Sequence, residues 1–308
     1  MKVYIDPKFI VQADIKFMID SFPNVQFVDK LEANNDIEVA MIPWPSFITK
    51  ENLSKLPNLK WIQLLSAGYD GTDFSLLKEH DILFTNAKDV YHISIAEDVL
   101  TKILVLNRNY KFYIDNMKHG IWKPIRREPE LWESIVGIIG TGSIGKEIAK
   151  RLKAFNTKII GYRKTDRFVD YFDEIVTTEE GLNRLLSQSD YVIMTLPLNE
   201  ETYHFMSKHR LGLMKKEAIF VNIARGQVVD QEFLTYMLVN NLIRGAGLDV
   251  TTPEPLPVDH VLWKLPNVII TPHNSSSSQH LLVRLTALMT DNLSRYLNKE
   301  PLKFIVKN

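Results

Sequence analysis

The sequence predicts an α/β protein of two domains, each built on a parallel sheet. Three observations carry this. Short apolar strands alternate with helical stretches in two separate series, a pattern that yields parallel sheets covered by helices. A Gly-rich turn joins strand to helix at the head of the second series. At 308 residues, the chain is also too long for most single cores.

In the first series, strands are expected over 3–6, 25–28, 39–44, 61–65 and 82–85. Helices fall between them over 9–21, 50–55 and 74–79. Ala96, Val99, Leu100, Ile103, Leu104 and Leu106 then recur at helical spacing, predicting one long hinge helix over 93–117. From Trp132 a second series begins, with strands over 135–139, 158–162, 191–196, 218–223, 245–250 and 268–271. Its helices are expected over 146–155, 181–189, 207–214 and 230–240, and a last helix over 281–297.

Composition narrows the function classes. Lys+Arg and Asp+Glu balance at 37 each, which argues against a nucleic-acid surface or an acidic tail. There is no cysteine, so disulfides, thiol nucleophiles and cysteine-ligated zinc are excluded. The His pairs 204/209 and 273/280 lack the i, i+4 register of a helical metal site, and no metal is expected. Residues 1–6 read as a strand rather than a signal peptide, and no window is apolar enough to span a membrane. A soluble cytoplasmic protein is expected.

The Gly-rich turn is Gly140-Thr141-Gly142-Ser143-Ile144-Gly145, directly after the apolar run Ile135-Val136-Gly137-Ile138-Ile139. Gly140 permits the tight turn, Gly142 removes a Cβ that would block a pyrophosphate, and Gly145 lets helix and strand pack closely. N–H groups at the helix start then face phosphate charge. This strand–turn–helix context predicts a bound dinucleotide.

Three polar residues stand at the ends of late strands, where an open α/β sheet places its ligand crevice. They are Arg225, Glu254 and His273. Each residue type alone is more often structural. Together they supply a cation for a carboxylate, a proton donor for a ketone oxygen and a carboxylate to hold that donor, the parts needed to reduce a 2-keto acid.

At this point the sequence resembles the D-isomer-specific 2-hydroxyacid dehydrogenase family. The likeness runs through Leu65-Ser66-Ala67-Gly68-Tyr69-Asp70, Ile95-Ala96-Glu97, the Gly-rich turn and Leu196-Pro197-Leu198 with Thr202. It continues through Met214-Lys215, 222–226, Gly247-Leu248-Asp249-Val250 with Glu254-Pro255-Leu256-Pro257, and Thr271-Pro272-His273. The resemblance implies that Arg225 binds the carboxylate and polarises the carbonyl, while His273 exchanges the proton. Glu254 would orient the imidazole and favour its charged form. Asp249 would accept from the nicotinamide carboxamide; Leu196, Pro197, Thr202, Ile223 and Ala224 would line the cofactor; and the backbone of Ser66, Ala67 and Gly68 would help hold the substrate acid. The implied fold is a Rossmann doubly wound parallel sheet, residues 95–282, inserted in a smaller flavodoxin-like α/β substrate domain, residues 1–94 completed by 283–308. The active site would lie in the cleft between them. Segment 110–127, with Trp122, matches a region that relatives use as a dimer arm, so a homodimer is expected.

Where NAD-selective members end the second strand with an acidic residue, this chain has Arg163, followed by Lys164 and Thr165. Two cations and a hydroxyl suit a 2′-phosphate, so NADP(H) is expected over NAD(H). Pro43-Trp44-Pro45-Ser46 stands where phosphoglycerate-type members tend to carry arginine, which points to the NADPH-dependent glyoxylate/hydroxypyruvate reductase branch. Trp44 reads equally as a core aromatic. Ser275 to Ser278 are expected to cap the last helix rather than reach the substrate, and Asp98 stands where many relatives have His. The alternatives are an NAD-dependent 3-phosphoglycerate dehydrogenase-like enzyme, or a dinucleotide-sensing protein resembling the family's corepressors.

Overall fold

The computed structural model describes residues 1–8, 14–31 and 36–306. The chain divides into two compact units, Met1–Tyr91 with Ser278–Asn308, and His92–Ser277.

The first unit begins with β1 (Lys2–Ile5), α1 (Asp14–Ser21), β2 (Gln26–Val28), β3 (Ile37–Ile42), α2 (Lys50–Ser54), β4 (Trp61–Leu64), α3 (Phe74–Glu79) and β5 (Leu83–Thr85). Residues 9–13 of the helix expected over 9–21 lie outside the described residues. The strands pair in parallel in the order β2-β1-β3-β4-β5, which reverses beside β1 as in flavodoxin-like sheets. β4 is buried throughout and β3 nearly so, and both are apolar apart from Gln63 and Glu38 because both faces are covered. β3 stops at Ile42, short of the expected 44, because Pro43 brings no N–H to continue the ladder. Trp44 is 61% exposed, so it is not a core aromatic. Thr49 and Asp73 start α2 and α3 by accepting from the amides of Asn52 and Leu76.

The second unit runs through α4 (His92–Asn107), α5 (Tyr110–Lys118), β6 (Ile135–Ile139), α6 (Ser143–Leu152), β7 (Lys158–Tyr162), β8 (Glu174–Val176) and α7 (Glu179–Gln188). It continues through β9 (Tyr191–Met194), α8 (Lys208–Gly212), β10 (Ile219–Asn222), α9 (Gln231–Val239), β11 (Gly245–Leu248) and β12 (Val268–Ile270). The single hinge helix expected over 93–117 is two helices. Asn109 breaks it in the left-handed region at φ 49°, which asparagine tolerates better than most residues. Just before it, the Asn107 amide is drawn into a buried cluster, donating to the Tyr191 hydroxyl at 2.6 Å and accepting from Arg244 at 2.9 Å. β8 was not expected; it is a three-residue edge strand opening on Glu174, too short and charged to show as an apolar run.

All seven strands are parallel, in the order β12-β11-β10-β9-β6-β7-β8. The chain steps outward from β6 to β8 and then returns to β9 on the other flank of β6. That is the Rossmann order, with its switch point between β6 and β9. Among the described residues, no helix is long and apolar enough to cross a membrane.

The last helix, α10 (Leu281–Leu297), belongs to the first unit, where Leu285, Leu288, Met289 and Leu293 join Val3, Ile5, Met41 and Trp61 in one core cluster. Asn292 on the same face is fully buried and donates to Gln63 at 2.8 Å. The serines before this helix do not cap it as expected. His280 is the N-cap residue and makes no side-chain cap bond. Ser278 instead accepts from the His280 amide at 3.1 Å, and the Ser275 amide is drawn back to Asp249.

Candidate active site

The Gly-rich turn ends β6 and opens α6. Gly140 sits at φ 106°, and a Cβ on Gly145 would lie 2.1 Å from the Gly140 carbonyl oxygen, so only glycine fits there. Gly142 faces open space where a side chain would otherwise stand. It is the N-cap of α6 and offers no side-chain cap, which leaves first-turn amides, those of Ser143, Ile144 and Gly145 among them, for an anion. Thr195, which sequence reasoning missed, braces the turn by donating to the carbonyls of Ile139 and Gly140 at 3.1 and 2.8 Å. Leu196 packs against Gly140, and Thr141 is buried beside Gly161. This cradle fits a dinucleotide pyrophosphate.

Arg163 follows β7. Its ε nitrogen and one η nitrogen are shielded from solvent with no partner among the described residues. Burial, and then Arg167, push its guanidinium below the usual arginine range, against the pull of Asp166. Lys164 is exposed and ion-paired with Glu201, and Thr165 is exposed. Thr202 is buried and staples the loop after β9: its hydroxyl donates to the Pro197 carbonyl at 2.6 Å and accepts from the Asn199 amide at 2.8 Å.

Glu254 and His273 meet. The imidazole Nδ1 lies 2.9 Å from Glu254 Oε2, while Oε1 accepts from the Thr251 amide at 3.1 Å, so both carboxylate oxygens are oriented. Arg225 follows β10, and its side chain donates to the Ala224 carbonyl at 2.7 Å. Asn222, another residue whose role sequence reasoning missed, shapes this turn by donating to the Arg225 carbonyl and accepting from Ala224. Ile223 and Ala224 are buried there. At Gly226 a Cβ would lie 2.0 Å from the Thr251 carbonyl oxygen. The turn bearing Arg225 therefore presses directly on the segment that orients Glu254. These groups hang from the carboxyl ends of β10, β11 and β12, which neighbour one another.

Asp249 is 2% exposed, and its carboxylate accepts from the Thr271 hydroxyl (2.6 Å) and the amides of Asn274 and Ser275 (3.0 and 3.1 Å). It holds the loop that carries His273. In the first unit, the loop of Ser66, Ala67 and Gly68 after β4 is tied down by Asn86, which donates to the Ala67 carbonyl at 2.7 Å, and by Tyr91, which donates to the Leu65 carbonyl.

Asp98, whose partner the sequence left open, pairs with Lys102, which is itself buried on α4. Burial pushes the Asp98 carboxyl up; Lys102 opposes the shift and Asp249 adds to it.

A Rossmann sheet with this cradle, beside a paired histidine and glutamate, defines a nicotinamide-dependent oxidoreductase acting on a CH–OH group. The family model for the NAD-binding domain of D-isomer specific 2-hydroxyacid dehydrogenases matches residues 100–275. The chain belongs to the D-isomer specific 2-hydroxyacid dehydrogenase family, and its similarities support the glyoxylate/hydroxypyruvate reductase branch. A glyoxylate reductase of Pyrococcus horikoshii is 33% identical over 95% of this chain and 91% of that protein. A D-3-phosphoglycerate dehydrogenase of Methanocaldococcus jannaschii is 32% identical over 88% of this chain and 52% of its own length. Among solved structures, the NADPH-dependent glyoxylate/hydroxypyruvate reductase of Sinorhizobium meliloti, in complex with NADP and sulfate, matches with a TM-score of 0.83. It is 25% identical, over 99% of this chain and 98% of that one. The D-lactate dehydrogenase of Aquifex aeolicus, complexed with NAD and lactic acid, matches at 0.79 and 28% identity over 97% and 96%.

Proposed function

We propose that this chain is a 2-keto acid reductase that uses NADP(H) on a small unphosphorylated acid such as glyoxylate or hydroxypyruvate. The observation that carries the reading is the His273–Glu254 pair, oriented by the Thr251 amide and pressed upon by the Arg225 turn. When bound, the nicotinamide supplies the hydride. The rest of the chemistry falls to side chains. Arg225 holds the carboxylate and draws electron density from the carbonyl. His273 has Nδ1 committed to Glu254, so Nε2 gives its proton to the carbonyl oxygen in reduction and takes it back in oxidation. Glu254 compensates the imidazolium before transfer.

Arg163 supports NADP(H), since nitrogens shielded from solvent without a partner suit a phosphate and no carboxylate stands in its place. One charge-assisted bond of ~1.5–3 kcal/mol corresponds to a preference of roughly ten- to 150-fold. A phosphoglycerate dehydrogenase-like activity is the second reading, favoured by the Methanocaldococcus relative, but the loop after β3 offers Trp44 between two prolines rather than a cation for a phosphate. We also propose a homodimer, because Met117, Ile121 and Trp122 form an exposed apolar run, Trp122 being 99% exposed.

Steady-state kinetics on a panel of 2-keto acids with NADPH and NADH test this. Turnover of glyoxylate or hydroxypyruvate with NADPH preferred is expected, and Arg163→Asp should move selectivity toward NADH. His273→Ala should lower kcat by about 10²–10⁴-fold. Near-normal turnover in both His273→Ala and Arg225→Ala would remove these residues from the mechanism, and wild-type preference for NADH would overturn the cofactor assignment.

A further inference from the structure

The Lys164–Glu201 ion pair joins two loops far apart in sequence, one after β7 and one in the segment after β9. In the sheet, β6 lies between β7 and β9. The pair therefore bridges across the strand whose end carries the Gly-rich cradle, over the side toward Arg163. Nothing in the cradle itself needs Glu201, and its neighbour Thr202 already holds the loop through Pro197 and Asn199.

We infer that Glu201 is a specificity-tuning residue, occupying Lys164 and competing with the 2′-phosphate of the cofactor for it. This deepens, and rests on, the assignment of the pocket to NADP(H). A dinucleotide with a bare ribose leaves the pair intact. One with a 2′-phosphate meets Arg163 at once, but gains Lys164 only by drawing it away from Glu201. The side chains of Lys164 and Glu201 are 67% and 68% exposed, so the pair is a weak, screened contact and the penalty is small. Glu201 thus lowers the discrimination that Arg163 creates.

Titration calorimetry with adenosine 2′,5′-bisphosphate and with 5′-AMP isolates the effect without turnover. In Glu201→Gln, binding of the bisphosphate should tighten roughly two- to five-fold while 5′-AMP changes less than about two-fold. Adding Lys164→Ala should cancel that gain, because the freed ammonium is its source. Unchanged or weaker bisphosphate binding in Glu201→Gln would overturn the inference. So would an equal gain for both nucleotides, which would make Glu201 a general gate. Arg163→Ala, run alongside, separates the two levels. If the wild type does not prefer the bisphosphate and Arg163→Ala has no effect, the NADP(H) pocket itself is wrong. If Arg163→Ala abolishes a clear preference while Glu201→Gln is silent, only the role of Glu201 fails.

Discussion

His273 holds a backbone conformation that non-glycine residues seldom adopt, at φ 50°. What holds it is Asp249. The backbone carbonyl of Asp249 accepts from the His273 amide at 2.8 Å, while its carboxylate gathers Thr271, Asn274 and Ser275 around the same loop. In Asp249→Asn, Oδ1 keeps Thr271 and Asn274, but the new Nδ2 faces the Ser275 amide, donor against donor, at about 1–3 kcal/mol. The expected result is a fold still intact by circular dichroism and a fall in kcat of at least ten-fold as His273 loses its aim. Wild-type turnover in this variant would show that the loop holds itself. Gly226→Ala attacks the neighbouring turn, since the new methyl must displace the Thr251 carbonyl and with it the segment orienting Glu254. Its loss should appear mainly in kcat/KM, because Arg225 moves with the turn.

Among the elements, β7 and β8 form the edge of the second sheet beside Arg163, and one carboxylate pins them. Asp173 accepts from the Ile159 amide at 2.7 Å and from Lys153 at 2.7 and 2.8 Å. Burial alone would push this carboxyl up, but Lys153 and the Ile159 amide outweigh it and hold it below the ordinary Asp value of 3.8. A carboxylate depressed on folding adds stability that is fully present above its unfolded value and is lost as the pH falls through its folded value. Asp173→Asn should therefore cost about 1 kcal/mol near neutrality, discounted for partial exposure, and the variant should lose less stability than wild type below about pH 4. Urea midpoints between pH 3 and 7 would check it; parallel curves would remove Asp173 from the acid transition.

The same elements mark where the sequence was legible. α3 and α10 fall on the expected residues because apolar periodicity defines their bodies and their ends coincide with changes in pattern. The break between α4 and α5 was hidden, since periodicity runs on past Asn109 and the cause is a tertiary cluster at Asn107, Tyr191 and Arg244. β8 was hidden by its length. In the candidate site, residue types and positions at strand ends were readable, whereas the Thr195 brace, the Glu201 partner of Lys164 and the four contacts of Asp249 are products of folding that no local pattern encodes.

At the scale of the whole molecule, the chain leaves its first unit at Tyr91 and returns to it only at Ser278. The core of that unit needs Leu285, Met289 and Leu293, and Gln63 takes its buried partner from Asn292. Replacing Asn292 with Leu should leave the Gln63 carbonyl with Thr85 as its remaining donor and the Lys303 amide without its acceptor, and destabilise the first unit by about 1–3 kcal/mol, a loss that thermal melting would record. The return of the chain also sets an order of events during synthesis. Strands β1 to β5 emerge early but must wait, with apolar surface uncovered, while some two hundred further residues are translated. The second unit meanwhile has all its own material and can close first. Protease challenge of stalled nascent chains should find protected fragments from 92–277 before any from 1–91, since the returning segment from Ser278 is the one that lets the first part rest.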